Sequence, residues 1–165
     1  MRHWIKAALA VGLAFLPGIA AAQESTGPLS ASLAVERVEI DQETNKEVMK
    51  PADTASPGDL LQYTARYTNV SEEPLSGLVV NGPVPANTVF LKEGLAISQE
   101  ASLEVLIAGE PWQGVPAFKT VTLEDGTKKR VPAEPADYRE IRWRLADPLA
   151  PKATLVAIYR VRVKE

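Results

Sequence analysis

The chain predicts an all-β protein, one antiparallel β-sandwich following a removable N-terminal export signal. Three observations carry that expectation. Apolar and polar residues alternate in short runs. Turn-forming Pro and Gly fall between those runs, at intervals of roughly ten residues. No stretch carries the i, i+3, i+4, i+7 stripe of an amphipathic helix. The chain holds 13 prolines, and each one inside a helix costs about 3 kcal/mol or more, so long helices are not expected. Closure into a barrel is the competing all-β solution on spacing alone.

The first element is the signal, residues 1–22. Arg2 and Lys6 make a positive start, residues 7–16 are apolar, and Pro17-Gly18 breaks the run. Ala20-Ala21-Ala22 then offers the small residues of a cleavage site after Ala22. A spanning helix needs about 20 apolar residues, and this run is roughly half that, so removal rather than anchoring is expected. No Cys follows for lipid attachment. The remainder, residues 23–165, is long enough for one domain with a core of its own, in a periplasmic or secreted protein.

The strands follow in order. Residues 32–40 and 47–50 flank a polar turn. In residues 60–69, Leu61, Tyr63, Ala65 and Tyr67 fall on one face and Gln62, Thr64, Arg66 and Thr68 on the other, the period-2 signature of a half-buried strand. Residues 75–80 set Leu78 and Val80 inward before an Asn81-Gly82-Pro83 break. Shorter runs cover 88–92 and 103–108, and the stretch from 94 to 135 is the least periodic. Residues 118–123 and 128–131 flank Asp125-Gly126, a hairpin signal of the type I′ kind, with φ > 0 at both central positions. In residues 139–145, Ile141, Trp143 and Leu145 point inward between Glu140, Arg142 and Arg144. The last run, 154–163, puts Leu155, Ala157, Tyr159, Val161 and Val163 on one face. It and residues 32–40 are candidates for sheet edges, and the sequence does not decide which edges are covered.

Arg2 and Lys6 are two of 18 basic residues and none of the 21 acidic residues precedes residue 23, so the remainder carries a net charge of −5. That balance gives no support to binding nucleic acid. There is no Cys, and the only His is His3, inside the signal. Ser-His-Asp and Cys-His catalysis, thiolate or His-ligated metal sites and imidazole acid–base work therefore have no residues to use after cleavage. Paired carboxylates remain, among Glu72-Glu73, Glu124-Asp125, Glu134 and Asp137, and glycoside hydrolysis needs such a pair. All four groups read as solvated loop residues.

Asp41-x-Glu43-x-Asn45 alternates oxygen ligands as a calcium loop does, but lacks the loop glycine and terminal Glu. A polar hairpin turn is the plainer reading. Trp112 and Phe118, around the proline-flanked segment 111–116, are a candidate interaction patch, although Trp112 also suits a plug for one end of the sandwich. Asn69-Val70-Ser71 matches a glycosylation sequon, and a chance match is the plainer reading.

Several segments share one pattern. Ser56-Pro57-Gly58-Asp59 leads into the strand ending Tyr67-Thr68-Asn69, and Pro83-Val84-Pro85-Ala86-Asn87-Thr88 follows the next strand. Asp147-Pro148-Leu149-Ala150-Pro151-Lys152 then precedes the last strand. Together, over residues 48–163, they resemble the bacterial conserved repeat called domain of unknown function eleven. The resemblance implies an immunoglobulin-like sandwich on an exported or surface protein, and it brings no catalytic residue with it. Two positions depart from the pattern: Asn81-Gly82 replaces an acidic residue before the first proline, and Lys152 stands where glycine is common.

The expected function is a non-enzymatic exported module that binds, assembles or supports a component of the bacterial envelope. Its partner would be an unidentified envelope protein, with no cofactor, metal, nucleic acid or transmembrane segment after cleavage. A carboxylate-based hydrolase acting on envelope polysaccharide is the alternative.

Overall fold

The computed structural model describes residues 27–165, so the signal segment lies outside the described residues. Eleven strands are described: β1 Leu29–Ile40, β2 Glu47–Pro51, β3 Leu60–Asn69, β4 Val79–Pro83, β5 Thr88–Ile97, β6 Ala101–Ile107, β7 Gln113–Gly114, β8 Phe118–Thr122, β9 Lys128–Pro132, β10 Tyr138–Leu145 and β11 Thr154–Val163. One sheet has the order β2-β1-β3-β11-β5 and the other β4-β10-β6-β7, all antiparallel. The two face each other as a sandwich. Strands β8 and β9 form a separate two-stranded arm. No helix among the described residues is long and apolar enough to cross a membrane.

The core forms where the inward positions of the two sheets meet. Trp143 and Ile141 of β10 pack between Tyr159 and Leu155 of β11, Phe90 of β5 and Val105 of β6, all almost fully buried. Tyr63 stacks on Tyr159 with ring centroids 4.9 Å apart. These are the inward faces expected from alternation in residues 60–69, 139–145 and 154–163, and β3 and β11 occupy those spans residue for residue.

Three expectations are corrected. The strand expected at 75–80 lies at Val79–Pro83, and the supposed break Asn81-Gly82-Pro83 is strand. Gly77, at φ +65°, turns the chain beforehand. Gly82 stays in the sheet because it has no side chain: a Cβ there would lie 2.9 Å from the Tyr159 ring and 3.1 Å from Ile141. Strand β11 is not an edge, since β3 pairs along one side and β5 along the other. Nor is the β8–β9 turn of type I′. Gly126 alone has positive φ, its N–H donates to the Leu123 carbonyl, and Leu123 N–H donates to Thr127 O. That is a longer loop with a left-handed Gly closing it.

The shared turns have physical roles. Asp59 Oδ2 accepts from Ser56 N–H at 2.7 Å, while Gly58, at φ +86°, donates its N–H to Val163 O. The turn that launches β3 is thereby tied to the end of β11. Asn69 is fully buried at the other end of β3. Its Nδ2 donates to Glu73 O, Leu149 O and Ala150 O at 2.7, 3.0 and 3.2 Å. Its Oδ1 accepts from Ser71 N–H and hydroxyl. The Asn-x-Ser spacing is thus a buried turn lock, and the amide has no access to a glycosylating enzyme.

Candidate functional site

Trp112 lies on the outward face of the four-stranded sheet. Since Trp143 points into the core, its neighbour Arg142 points out, and the Arg142 guanidinium lies 4.1 Å from the Trp112 ring centre. The end-plug expectation for Trp112 is therefore corrected: its ring covers the sheet's outer surface under a cation. Glu104 of β6, opposite Arg142 in register, bonds Arg142 Nε and also receives Arg144 at 3.4 Å. The hydrogen bond from Arg142, helped by Arg144, holds the Glu104 carboxyl below the usual range. Two guanidinium groups share one carboxylate on this face.

Phe118 opens the β8–β9 arm and is 38% exposed. Arg130, its diagonal neighbour across the arm, lies 5.4 Å from its ring centre. Gln113, next to Trp112 in sequence, joins the two aromatic positions. Its Nε2 donates to Phe118 O at 2.8 Å, and its Oε1 accepts from Phe118 N–H and from Arg130. A side chain thus pairs with β8 as a neighbouring strand would. Glu110 adds a second tie by accepting from Thr120 N–H at 2.7 Å, and that bonding keeps its carboxyl below its ordinary value. The arm is further fastened by Lys119 to Asp137 at 2.7 Å. Burial pushes the Asp137 carboxyl up, but hydrogen bonds from Lys119 and Glu134 N–H, with the charges of Lys119 and Arg139, outweigh it and leave the carboxyl lowered.

Trp112 and Phe118 are therefore linked through Gln113, each with a guanidinium against its ring, as cation–π pairing favours. Sequence reasoning did not anticipate Gln113, Arg130 and Arg142 as their partners. The alternation of Arg142 with Trp143 marked it as outward, but nothing in the irregular segment 111–116 told which strand that segment meets.

Three of the carboxylates considered for hydrolysis are engaged locally. Asp125 accepts from Thr127 N–H inside the arm's turn, Asp137 holds Glu134 N–H, and Glu72 pairs with Lys152 at 2.7 Å. Asp41 accepts from Glu43 N–H, Thr44 N–H and the Thr44 hydroxyl, and Asn45 takes φ 53°. The segment is the polar turn between β1 and β2. Among the described residues no three carboxylates gather where they could hold a metal ion. No family model, curated protein or solved structure matches the chain.

Proposed function

We propose that this is a non-enzymatic, exported β-sandwich module that binds another component of the bacterial envelope through the Trp112–Phe118 surface. One observation carries the reading: two partly exposed aromatic rings, each with an arginine against it, sit on segments that the Gln113 side chain ties together. Aromatic and arginine side chains that are already ordered lose little entropy on contact, which is what a binding hot spot needs. The export signal at residues 1–22 and the resemblance to domain of unknown function eleven place the module outside the cytoplasm in this proposal. The engagement of Asp125, Asp137 and Glu72 in turns and ion pairs supports a non-catalytic role over polysaccharide hydrolysis.

The test is an affinity pull-down of the tagged mature protein, residues 23–165, from crosslinked envelope extract, beside the Trp112→Ala and Phe118→Ala proteins. Partners enriched by the wild type and lost from both folded variants are expected. Partners retained by both variants would place the contact elsewhere.

A further inference from the structure

We propose that the open margin of β1, residues 31–35, takes up an extended, uncharged strand of another protein, antiparallel to β1 and in line with β2. The register identifies the margin. Val70 N–H donates to Pro28 O, so the even-numbered residues of β1 turn their backbone groups toward β3. Asp41 N–H donates to Lys46 O, so the odd-numbered residues turn theirs toward β2. Strand β2 ends at Pro51, opposite Glu36. Beyond it, among the described residues, nothing pairs with the outward backbone groups of Ala31, Leu33 and Val35.

The margins formed by β2, β4, β5, β7, β8 and β9 are guarded. Strand β2 carries Glu47, Lys50 and Pro51, and β9 carries Lys128, Lys129, Arg130 and Pro132. On β8, the Phe118 and Thr120 amides are taken by side chains. Strand β5 carries Lys92 and Glu93, shifts register opposite β11, and lies against the 3-10 turn at Pro135–Asp137. Strand β7 is two residues long. On β4, Pro83 has no N–H, and the outward carbonyls of Asn81 and Pro83 accept from the Tyr67 and Tyr159 hydroxyls at 3.0 and 2.9 Å. Charge, proline and covering are the usual means of keeping an edge closed. Residues 30–35, Ser-Ala-Ser-Leu-Ala-Val, use none of them.

The same odd positions decide the chemistry of the occupant. Leu33 pairs with Ala65 and Val35 with Tyr63, so both lie on the core-side face. Leu33 is nonetheless 44% exposed. The opposite sheet ends at β4, which the two tyrosine hydroxyls hold over β3 and β11, and β1 overhangs it. A strand hydrogen-bonded to Ala31, Leu33 and Val35 places its own three facing side chains on that uncovered side. Apolar residues at alternate positions there cover Leu33, whereas a charge would be desolvated without a partner. The occupant is not the same edge of a second copy. Two-fold pairing about Ala31, Ser32 or Leu33 runs the copy's chain before Ala31 into the place held by Pro51.

The test joins Thr-Val-Thr-Val-Thr-Val through a Gly/Ser linker to the N-terminus of the mature protein, residues 23–165, so that the strand meets β1 at high effective concentration. Residue-resolved amide hydrogen exchange is the readout. In the mature protein the Leu33 and Val35 amides should exchange fast while Ser32 and Ala34 exchange slowly. With the added strand, Leu33 and Val35 should slow by at least about tenfold, as newly formed ladder bonds do. A Thr-Pro-Thr-Pro-Thr-Pro version should leave them fast, and Leu33→Lys in the strand-bearing protein should restore fast exchange. Slow Leu33 and Val35 exchange in the mature protein, no slowing with the added strand, or a dimer of the mature protein in sedimentation would each overturn the proposal.

Discussion

Replacing Asn69 with alanine should be the most costly single polar substitution in the fold. The side chain is fully buried; its two N–H donors are shared among three carbonyls and its Oδ1 accepts twice. Four such bonds at roughly 0.5–1.5 kcal/mol net each set a ceiling of about 6 kcal/mol that non-additivity will not let it reach. The carbonyls limit the loss, because each keeps another donor. Leu149 O accepts from Leu75 N–H, Ala150 O from Ala153 N–H, and Glu73 O from the Ser71 hydroxyl. The Ser71 amide loses its partner, and the hole left by the amide has no other occupant. The net cost should be about 3 kcal/mol, read as a shift in the urea midpoint at unchanged slope. Asn69→Asp separates the chemistry from the hole: its shape is nearly the same, but a carboxylate cannot donate to three carbonyls. Its pKa in the fold should rise, so the variant should be least destabilised near pH 4 and lose further stability as the pH climbs toward 7. A loss below about 1 kcal/mol for Asn69→Ala, or a flat pH dependence for Asn69→Asp, would refute the idea that this amide locks the end of β3.

Three further outcomes can be checked on the same protein. Lys152 has φ 61°, a conformation costing a non-glycine residue about 1 kcal/mol. Its ion pair with Glu72 is exposed, so Lys152→Gly should gain roughly 0.5 kcal/mol in a thermal or urea melt. Gly82→Ala should lose about 2 kcal/mol, because its Cβ would meet the Tyr159 ring inside a filled core; circular dichroism melts will read it. Burial pushes the Tyr159 hydroxyl well above its ordinary pKa, with Tyr63 and Tyr67 adding to the rise. A phenol raised in the fold contributes stability below its unfolded pKa of about 10 and loses it as pH rises beyond that value. Urea midpoints should therefore be level from pH 7 to 9 and fall by pH 11, and Tyr159→Phe should flatten part of the fall.

Strands β3, β10 and β11 were legible because a half-buried strand writes its two faces into alternate residues. Their inward positions Tyr63, Trp143 and Tyr159 are the centre of the core. What misled was local chemistry overridden by packing. Asn81-Gly82-Pro83 has the composition of a turn, yet Gly82 is required inside β4 by the nearness of Tyr159, which lies 77 residues further along the chain. Which strands lie at the edges had no trace in the alternation: β11 is flanked by β3 and β5, and Arg160 on its outer face is bonded to Gln62 and Glu47. Trp112 and Phe118 stood out in the sequence as aromatics in an irregular, proline-rich setting, which did not distinguish a surface patch from an end plug. Their arginine partners depend on the pairing of β7 with β6 and of β8 with β9, a tertiary register with no periodic trace.

The tyrosine-held sandwich also has a mechanical direction. Strands β1 and β11 flank β3, both antiparallel to it. β1 begins at the Asn69 end of β3, and β11 finishes at the Leu60 end. Tension applied along the chain at Leu29 and Val163 therefore draws the two flanking strands past β3 in opposite directions. The bonds of both ladders share that load at once and cannot peel apart one after another. A module built this way yields in shear when pulled at these two points.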